Sequence, residues 1–134
     1  MPDTSPLTVT LSADVAAAAT GASESGAYVE APFAGTVTAA SILATAAMSG
    51  ANTNSRTVQL HNRGAAGAGT TLVASKAFTS GVNLAADDET MLTLSVTAAD
   101  LIVAEGDLLE FTSLTVGSGL AAPKFTGQVT FARS

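Results

Sequence analysis

The chain has no cysteine, no tryptophan, one histidine and one tyrosine among its 134 residues. Without cysteine, neither a disulfide framework nor a thiolate metal site is available. A lone histidine leaves too few nitrogen ligands for a transition-metal centre. Aromatic faces for stacking sugars are scarce, with five phenylalanines and Tyr28 as the whole supply. Charge is scarce too, at 12% of residues, about half the usual share. Eleven acidic residues face five basic ones, giving a net charge of −6. An acidic surface repels phosphate, so nucleic acid is not expected as a partner. No apolar run is long enough to cross a bilayer, so no membrane partner is expected either. Met1-Pro2-Asp3 opens with neither a basic region nor an apolar run, and no signal peptide is expected.

What fills the space is alanine, threonine, serine and glycine. A chain of this length makes one domain and buries roughly two-thirds of its extended-chain surface. Small side chains lose little rotamer entropy when covered, which suits close contact with other protein. An alanine bias in a GC-rich genome produces the same composition.

The stretch Ser55 to Phe78 sets the pattern for the whole. Val58 and Leu60 point one way, and Thr57, Gln59 and His61 the other, a period of two that marks a half-buried strand. Gly64, Gly67 and Gly69 then allow a reversal, and Thr70 to Ala77 returns as a second strand. Leu7 to Ser12 alternates as a strand. Asp14 to Gly26 reads as a loop, Ala27 to Ala31 as a short strand ended by Pro32. Gly35 to Thr45 is a longer strand whose phase slips between Ala39 and Ile42, which predicts a bulge. Ser49 to Asn54 and Gly81 to Asp88 are turns or loops.

Met91 to Val96 reads as a strand with Leu92, Leu94 and Val96 inward. Thr97 to Asp100 is expected to form one helical turn capped by Thr97. Glu105-Gly106-Asp107 turns the chain into Leu108 to Val116, where Leu114 and Val116 join Leu109 and Phe111 only if Thr112-Ser113 holds a bulge. After the turn Gly117-Ser118-Gly119, the last strand lines one face with Phe125, Val129 and Phe131. Val58, Leu60, Leu92, Leu94, Leu109, Phe111, Val129 and Phe131 form the expected core. About eight short strands at ten-residue spacing describe an all-β sandwich or barrel.

Three pieces then occur in order: Ala31-Pro32-Phe33-Ala34-Gly35-Thr36-Val37; the Val58-Gln59-Leu60-His61-Asn62 strand with its glycine-rich return; and Leu92-Thr93-Leu94 running through Ala99-Asp100-Leu101 to Gly106-Asp107-Leu108-Leu109. Over roughly Ala27 to Phe131 the chain resembles the small β-sandwich proteins that tailed bacteriophages carry on their virions, above all capsid decoration and head-fibre proteins. The resemblance implies a single antiparallel, jelly-roll-like β-sandwich. Residues 1–26 would supply an arm, the first strand and a loop, and residues 27–134 the body. It implies a structural role on the capsid exterior, after synthesis in the host cytoplasm. The partners would be the major capsid protein and further copies of the chain, a homotrimer first and a dimer second. A receptor- or glycan-binding module of a phage fibre is the alternative. No catalytic residue, metal or cofactor is implied, and the chain is not expected to be an enzyme.

The residues that invite a chemical reading have plainer explanations. Gly64 to Thr71 has two glycines five apart before Thr70 and Thr71, but it lacks the lysine of a phosphate loop, and a strand follows. His61 lies on the polar face of its strand with no serine or carboxylate placed beside it by sequence, and is expected at the surface or an interface. Asp87-Asp88-Glu89 and Glu105 with Asp107 carry oxygens suited to Ca²⁺, in a spacing that fits no EF-hand loop, so solvated turns are expected. Thr36, Thr38, Thr126, Gln128 and Thr130 form small polar faces suited to subunit contact. Met1 to Pro6, polar with two prolines, is expected to be mobile until it docks on a neighbour or the capsid.

Overall fold

Alternating apolar and small polar residues, broken by glycine-bearing turns, dictate short strands, and strands account for nearly every regular element. The computed structural model describes residues 7–134; the expectation for residues 1–6 lies outside them. In chain order the elements are β1 (Thr8–Val15), β2 (Glu24–Glu30), β3 (Gly35–Ala44), β4 (Ser55–Asn62), β5 (Thr71–Phe78), β6 (Thr90–Met91), β7 (Thr93–Leu94), a 3₁₀ turn (Ala98–Leu101), β8 (Ile102–Val103), β9 (Leu108–Val116) and β10 (Phe125–Arg133).

All strand pairs are antiparallel, in two facing sheets. Sheet one runs β1-β10-β3-β6, with β8 also on β3; sheet two runs β2-β9-β4-β5-β7. The connectivity is that of one long folded hairpin. β1 pairs with β10, β2 with β9, β3 with β8 and β4 with β5. Successive pairs of this hairpin fall in opposite sheets, which is the winding of a jelly roll. The expected first strand is present: β1 pairs with β10 along its whole length, from Thr8 opposite Ala132 to Val15 opposite Phe125.

The core lies between the sheets. Val58, Leu60, Leu92, Leu109, Phe111, Val129 and Phe131 are all buried, and Leu94 packs half-buried at the rim. The Phe111 ring crosses from sheet two to lie on Gly127 of sheet one. A Cβ at Gly127 would sit 2.6 Å from that ring, so the phenylalanine fills the space a side chain would occupy.

Six details depart from the sequence reading. The Met91 to Val96 segment is not one strand: β6 pairs with β3 in sheet one and β7 with β5 in sheet two, with Leu92 at the crossing. Val96 is fully exposed rather than inward. Ser95 Oγ donates to Asp100 Oδ2 (2.7 Å) and accepts from Thr97 N (3.2 Å), closing a bend that ends the two-residue period and turns Val96 out. Thr97 sits at the cap position of the 3₁₀ turn but makes no side-chain cap bond. In β3 the phase slip falls at Thr38, since Val37 faces Phe131 and Ala39 faces Thr130.

β9 holds no bulge against β4, with unbroken pairing from Ser55–Val116 to Asn62–Leu109. Ser113 therefore points inward, and Val116 is exposed. β2 begins at Glu24, inside the expected loop, with its own register shift between Glu24 and Ala27.

Phe111→Ala should lower stability by about 3–5 kcal/mol, the range for emptying a large core site. Val96→Ser should change it by less than about 0.5 kcal/mol, as at other open surface positions. Urea unfolding of both variants checks the strand phases; equal losses would contradict them.

Candidate functional site

In Ser55-Arg56-Thr57-Val58-Gln59-Leu60 the two-residue period puts Arg56 on the face of Val58 and Leu60. Arg56 is wholly buried there. Its guanidinium donates from Nε to the Leu120 carbonyl (2.8 Å), from Nη1 to the Ser113 carbonyl (3.2 Å) and Oγ (3.0 Å), and from Nη2 to the carbonyls of Ala22 (2.9 Å), Ala19 (3.4 Å) and Leu120. Among the described residues no carboxylate lies within ion-pair distance; the charge is solvated by backbone dipoles. Burial pushes its pKa down, and the negative charge of Glu24 acts the other way. The side chain ties the β1–β2 loop, the β9–β10 loop and β9 together. The sequence reading passed over it, although its parity with Val58 and Leu60 was the signal.

The outer face of sheet two carries a row of polar groups. Tyr28, Glu110, His61 and Leu72 lie side by side across β2, β9, β4 and β5. Glu110 is 5% exposed. Its Oε1 takes both Arg63 Nε and Nη2 at 2.9 Å, and its Oε2 accepts from Gly26 N at 2.7 Å. Arg63 Nη1 also donates to the Gly69 carbonyl (3.1 Å), so the ion pair anchors the β4–β5 loop. With both oxygens committed, Glu110 does not orient His61. Among the described residues, His61 Nδ1 and Thr112 Oγ1 are buried without a hydrogen-bond partner. Burial lowers the His61 pKa, the Arg63 charge lowers it further, and Glu110 opposes both.

The Gly64 to Thr71 segment is the β4–β5 loop. Gly64 N donates to Asn62 Oδ1 (2.8 Å), Gly69 N to the Arg63 carbonyl (2.7 Å), and Leu108 N to the Gly64 carbonyl (3.1 Å). Its amides are spent on the chain itself. Asp107 is a turn residue: its Oδ2 accepts from Ala104 N (2.9 Å) and Asn62 Nδ2 (3.1 Å), beside Gly106 at φ +88°. Asp87 takes a left-handed φ of +58°, with its N–H on the Ala44 carbonyl (2.7 Å), and Glu89 Oε2 accepts from Ser41 Oγ (3.0 Å). Among the described residues, no three histidine or acidic side chains converge on a metal position.

The outer face of sheet one is different in kind. Thr36, Thr126, Gln128 and Thr130 lie half-buried on it, and Thr38 stands exposed at the bulge. Hydroxyls bond to one another and to the backbone: Thr10 Oγ1 to Thr130 Oγ1 (2.9 Å), and Thr38 Oγ1 to the Thr130 carbonyl (3.4 Å). Asp14, at one margin, accepts from Thr126 Oγ1 (2.8 Å). The result is a face of short hydroxyl side chains with very little charge, shared with the exposed apolar side chains of Leu43, Met91 and Ile102. No cavity opens on it or elsewhere among the described residues.

No known protein family matches the chain, and no curated protein does. A solved structure of infectious bursal disease virus, Gx strain, is similar over 96% of this chain and 32% of its own, at 11% identity and a TM-score of 0.42. The chain thus spans about a third of that one.

Arg56→Met should destabilise the protein by about 3 kcal/mol or more, because several buried carbonyls lose their donor at once. A loss under about 1 kcal/mol in urea unfolding would mean that water reaches those carbonyls.

His61 gives a pH signature. Its folded pKa lies below the unfolded value of about 6.5, so the unfolded chain takes up the proton first as pH falls. The stability is intact above pH about 6.5 and declines below it. His61→Gln should flatten that decline between pH about 7.5 and about 5.5. Parallel urea midpoints for variant and parent would show that His61 titrates freely.

Proposed function

We propose that this chain is a virion structural protein that binds the outer surface of a tailed-bacteriophage capsid and stabilises the shell. The observation that carries this reading is the outer face of sheet one, broad, hydroxyl-lined and nearly uncharged. Such a face covers another protein surface without stranding a buried charge and with little side-chain entropy to lose. The jelly-roll winding adds support by analogy, since it recurs in viral capsid and lectin domains; a fold alone does not assign a function. The resemblance of the Ala31–Val37, Val58–Asn62 and Leu92–Leu109 segments to decoration and head-fibre proteins points the same way. The role is non-enzymatic. His61 has no oriented carboxylate behind it, since both Glu110 oxygens are held by Arg63 and the Gly26 amide, and proton transfer is not supported. The resemblance implies a homotrimer first and a dimer second.

Co-sedimentation of the purified protein with bare capsids, followed by a thermal melt of decorated and undecorated shells, tests the reading. The protein should travel with the shell and raise its melting temperature by mass action. Thr38→Arg, at an exposed site, should leave the fold intact and weaken the association. Absence of binding, with unchanged capsid melts, would overturn the proposal. Binding on a glycan array under those conditions would install the receptor-binding alternative.

A further inference from the structure

Each sheet must end somewhere, and the sandwich treats its edges unequally. On one side the sheets end in β6, β7 and β8, each two residues long. On the other, sheet two ends in β2, which is broken by a register shift and bears Glu24 and Glu30. Short, bulged and charged edges are the standard means of preventing strand addition. β1 is neither short nor bulged, and its one charge is Asp14 near its end. It is eight residues long, pairs with β10 without a register shift, and contains no proline, lysine or arginine.

The hydrogen-bond phase of β1 follows from two observations. Arg133 N donates to the Leu7 carbonyl (2.9 Å), so Leu7 and the odd-numbered residues of β1 direct their backbone groups at β10. Ser134 N donates to the Ala34 carbonyl, which puts the even residues of β10 on β3, as this phase requires. The N–H and C=O groups of Thr8, Thr10, Ser12 and Asp14 therefore face away from the sheet. None of them bonds to another backbone group among the described residues.

We propose that β1 is a homodimer edge: two copies of the chain pair their β1 strands antiparallel about a two-fold axis at Leu11, joining both copies of sheet one into a continuous sheet. The second copy is the occupant because the strand is complementary to itself. With the axis at Leu11, Thr8 lies opposite Asp14 of the other copy, and Thr10 opposite Ser12. Every outward backbone group from Thr8 to Asp14 then gains a partner. The strand's one charge meets a threonine rather than its own copy. On the inner side, Leu11 meets Leu11 across the axis, Val9 meets Ala13, and exposed Leu7 meets Val15. The half-buried Val9, Leu11 and Ala13 thereby lose the flank that the open edge leaves to water. Shifting the axis by two residues leaves outward groups unpaired at both ends. An isologous contact of this kind closes on itself and does not propagate. The inference stands apart from the capsid reading: a monomer that decorates capsids would overturn only the dimer, and a dimer that ignores them only the decoration role.

Sedimentation analysis of the full chain, with amide exchange read residue by residue, tests the proposal. The expected result is a dimer in which the Thr8, Thr10, Ser12 and Asp14 amides are protected along with the odd-numbered ones. Ser12→Pro removes one outward N–H and no bond to β10, a placement that edge strands tolerate. It should weaken dimerisation at least about tenfold and release the even-numbered amides. As a second probe that does not depend on that variant folding, Leu11→Cys introduces the chain's sole thiol. Residues opposed in a non-hydrogen-bonded pair have Cα atoms about 4.5 Å apart, within disulfide reach. Oxidation should cross-link Leu11→Cys into a covalent dimer and leave Thr38→Cys monomeric. A protein that is monomeric at millimolar concentration, a trimer, or a dimer whose even-numbered β1 amides exchange freely would each overturn the proposal.

Discussion

A buried cation held by backbone carbonyls governs how one end of this sandwich closes. Arg56 enters the core on the same strand face as Val58 and Leu60, and its guanidinium meets the carbonyls of Ala22, Ser113 and Leu120. Loops rarely run through a protein interior, because their backbone groups would lack partners. Here one planar side chain supplies the donors for two loops at once. The β1–β2 and β9–β10 connections can then lie across the end of the sheets, where Ala18 and Ala122 also bond to each other. Those connections fix where β2 and β10 begin, and so the position of β1 on β10. The inward turn of Ser113, against the apolar trend of its strand, belongs to the same device.

The two outer faces divide the remaining polar chemistry. At the centre of sheet two, Glu110 is satisfied by Arg63 and by the Gly26 amide. That pair pins the glycine-rich β4–β5 loop to the centre of the sheet. Sheet one spends its polar groups as hydroxyls that bond within the face. A face of that kind is flat, dry to cover and indifferent to salt, which suits permanent contact with another protein more than capture of a small ligand.

Much of the sandwich was legible because strand periodicity is a local signal. β4, β9 and β10 were readable from Val58 and Leu60, Leu109 and Phe111, and Val129 and Phe131, since both sheets bury one face only. The errors share a cause in tertiary contact. Leu92, Leu94 and Val96 carry the alternation of one strand, yet the chain changes sheets at Leu92 and bends at Ser95, and no local pattern distinguishes those events. Ser113 looked like a candidate bulge because its reason for facing inward, Arg56, is distant in sequence. The 24–26 segment reads as loop for its serine and glycine, although pairing with β9 makes a strand of it. Arg56 itself was readable by parity and was overlooked because charge usually argues for solvent. The Glu110–Arg63 pairing was beyond reach, since it joins residues that only the sheet register brings together.

The central claim is that the hydroxyl face of sheet one seats the protein on a capsid shell. The most direct measurement is an electron cryomicroscopy reconstruction of bare capsids incubated with the purified chain. The account predicts ordered density on the outer surface, with Thr36, Thr38, Thr126, Gln128 and Thr130 against the shell and the Tyr28, His61 and Glu110 row turned away. Shells without added density, or density attached through the sheet-two face, would contradict it.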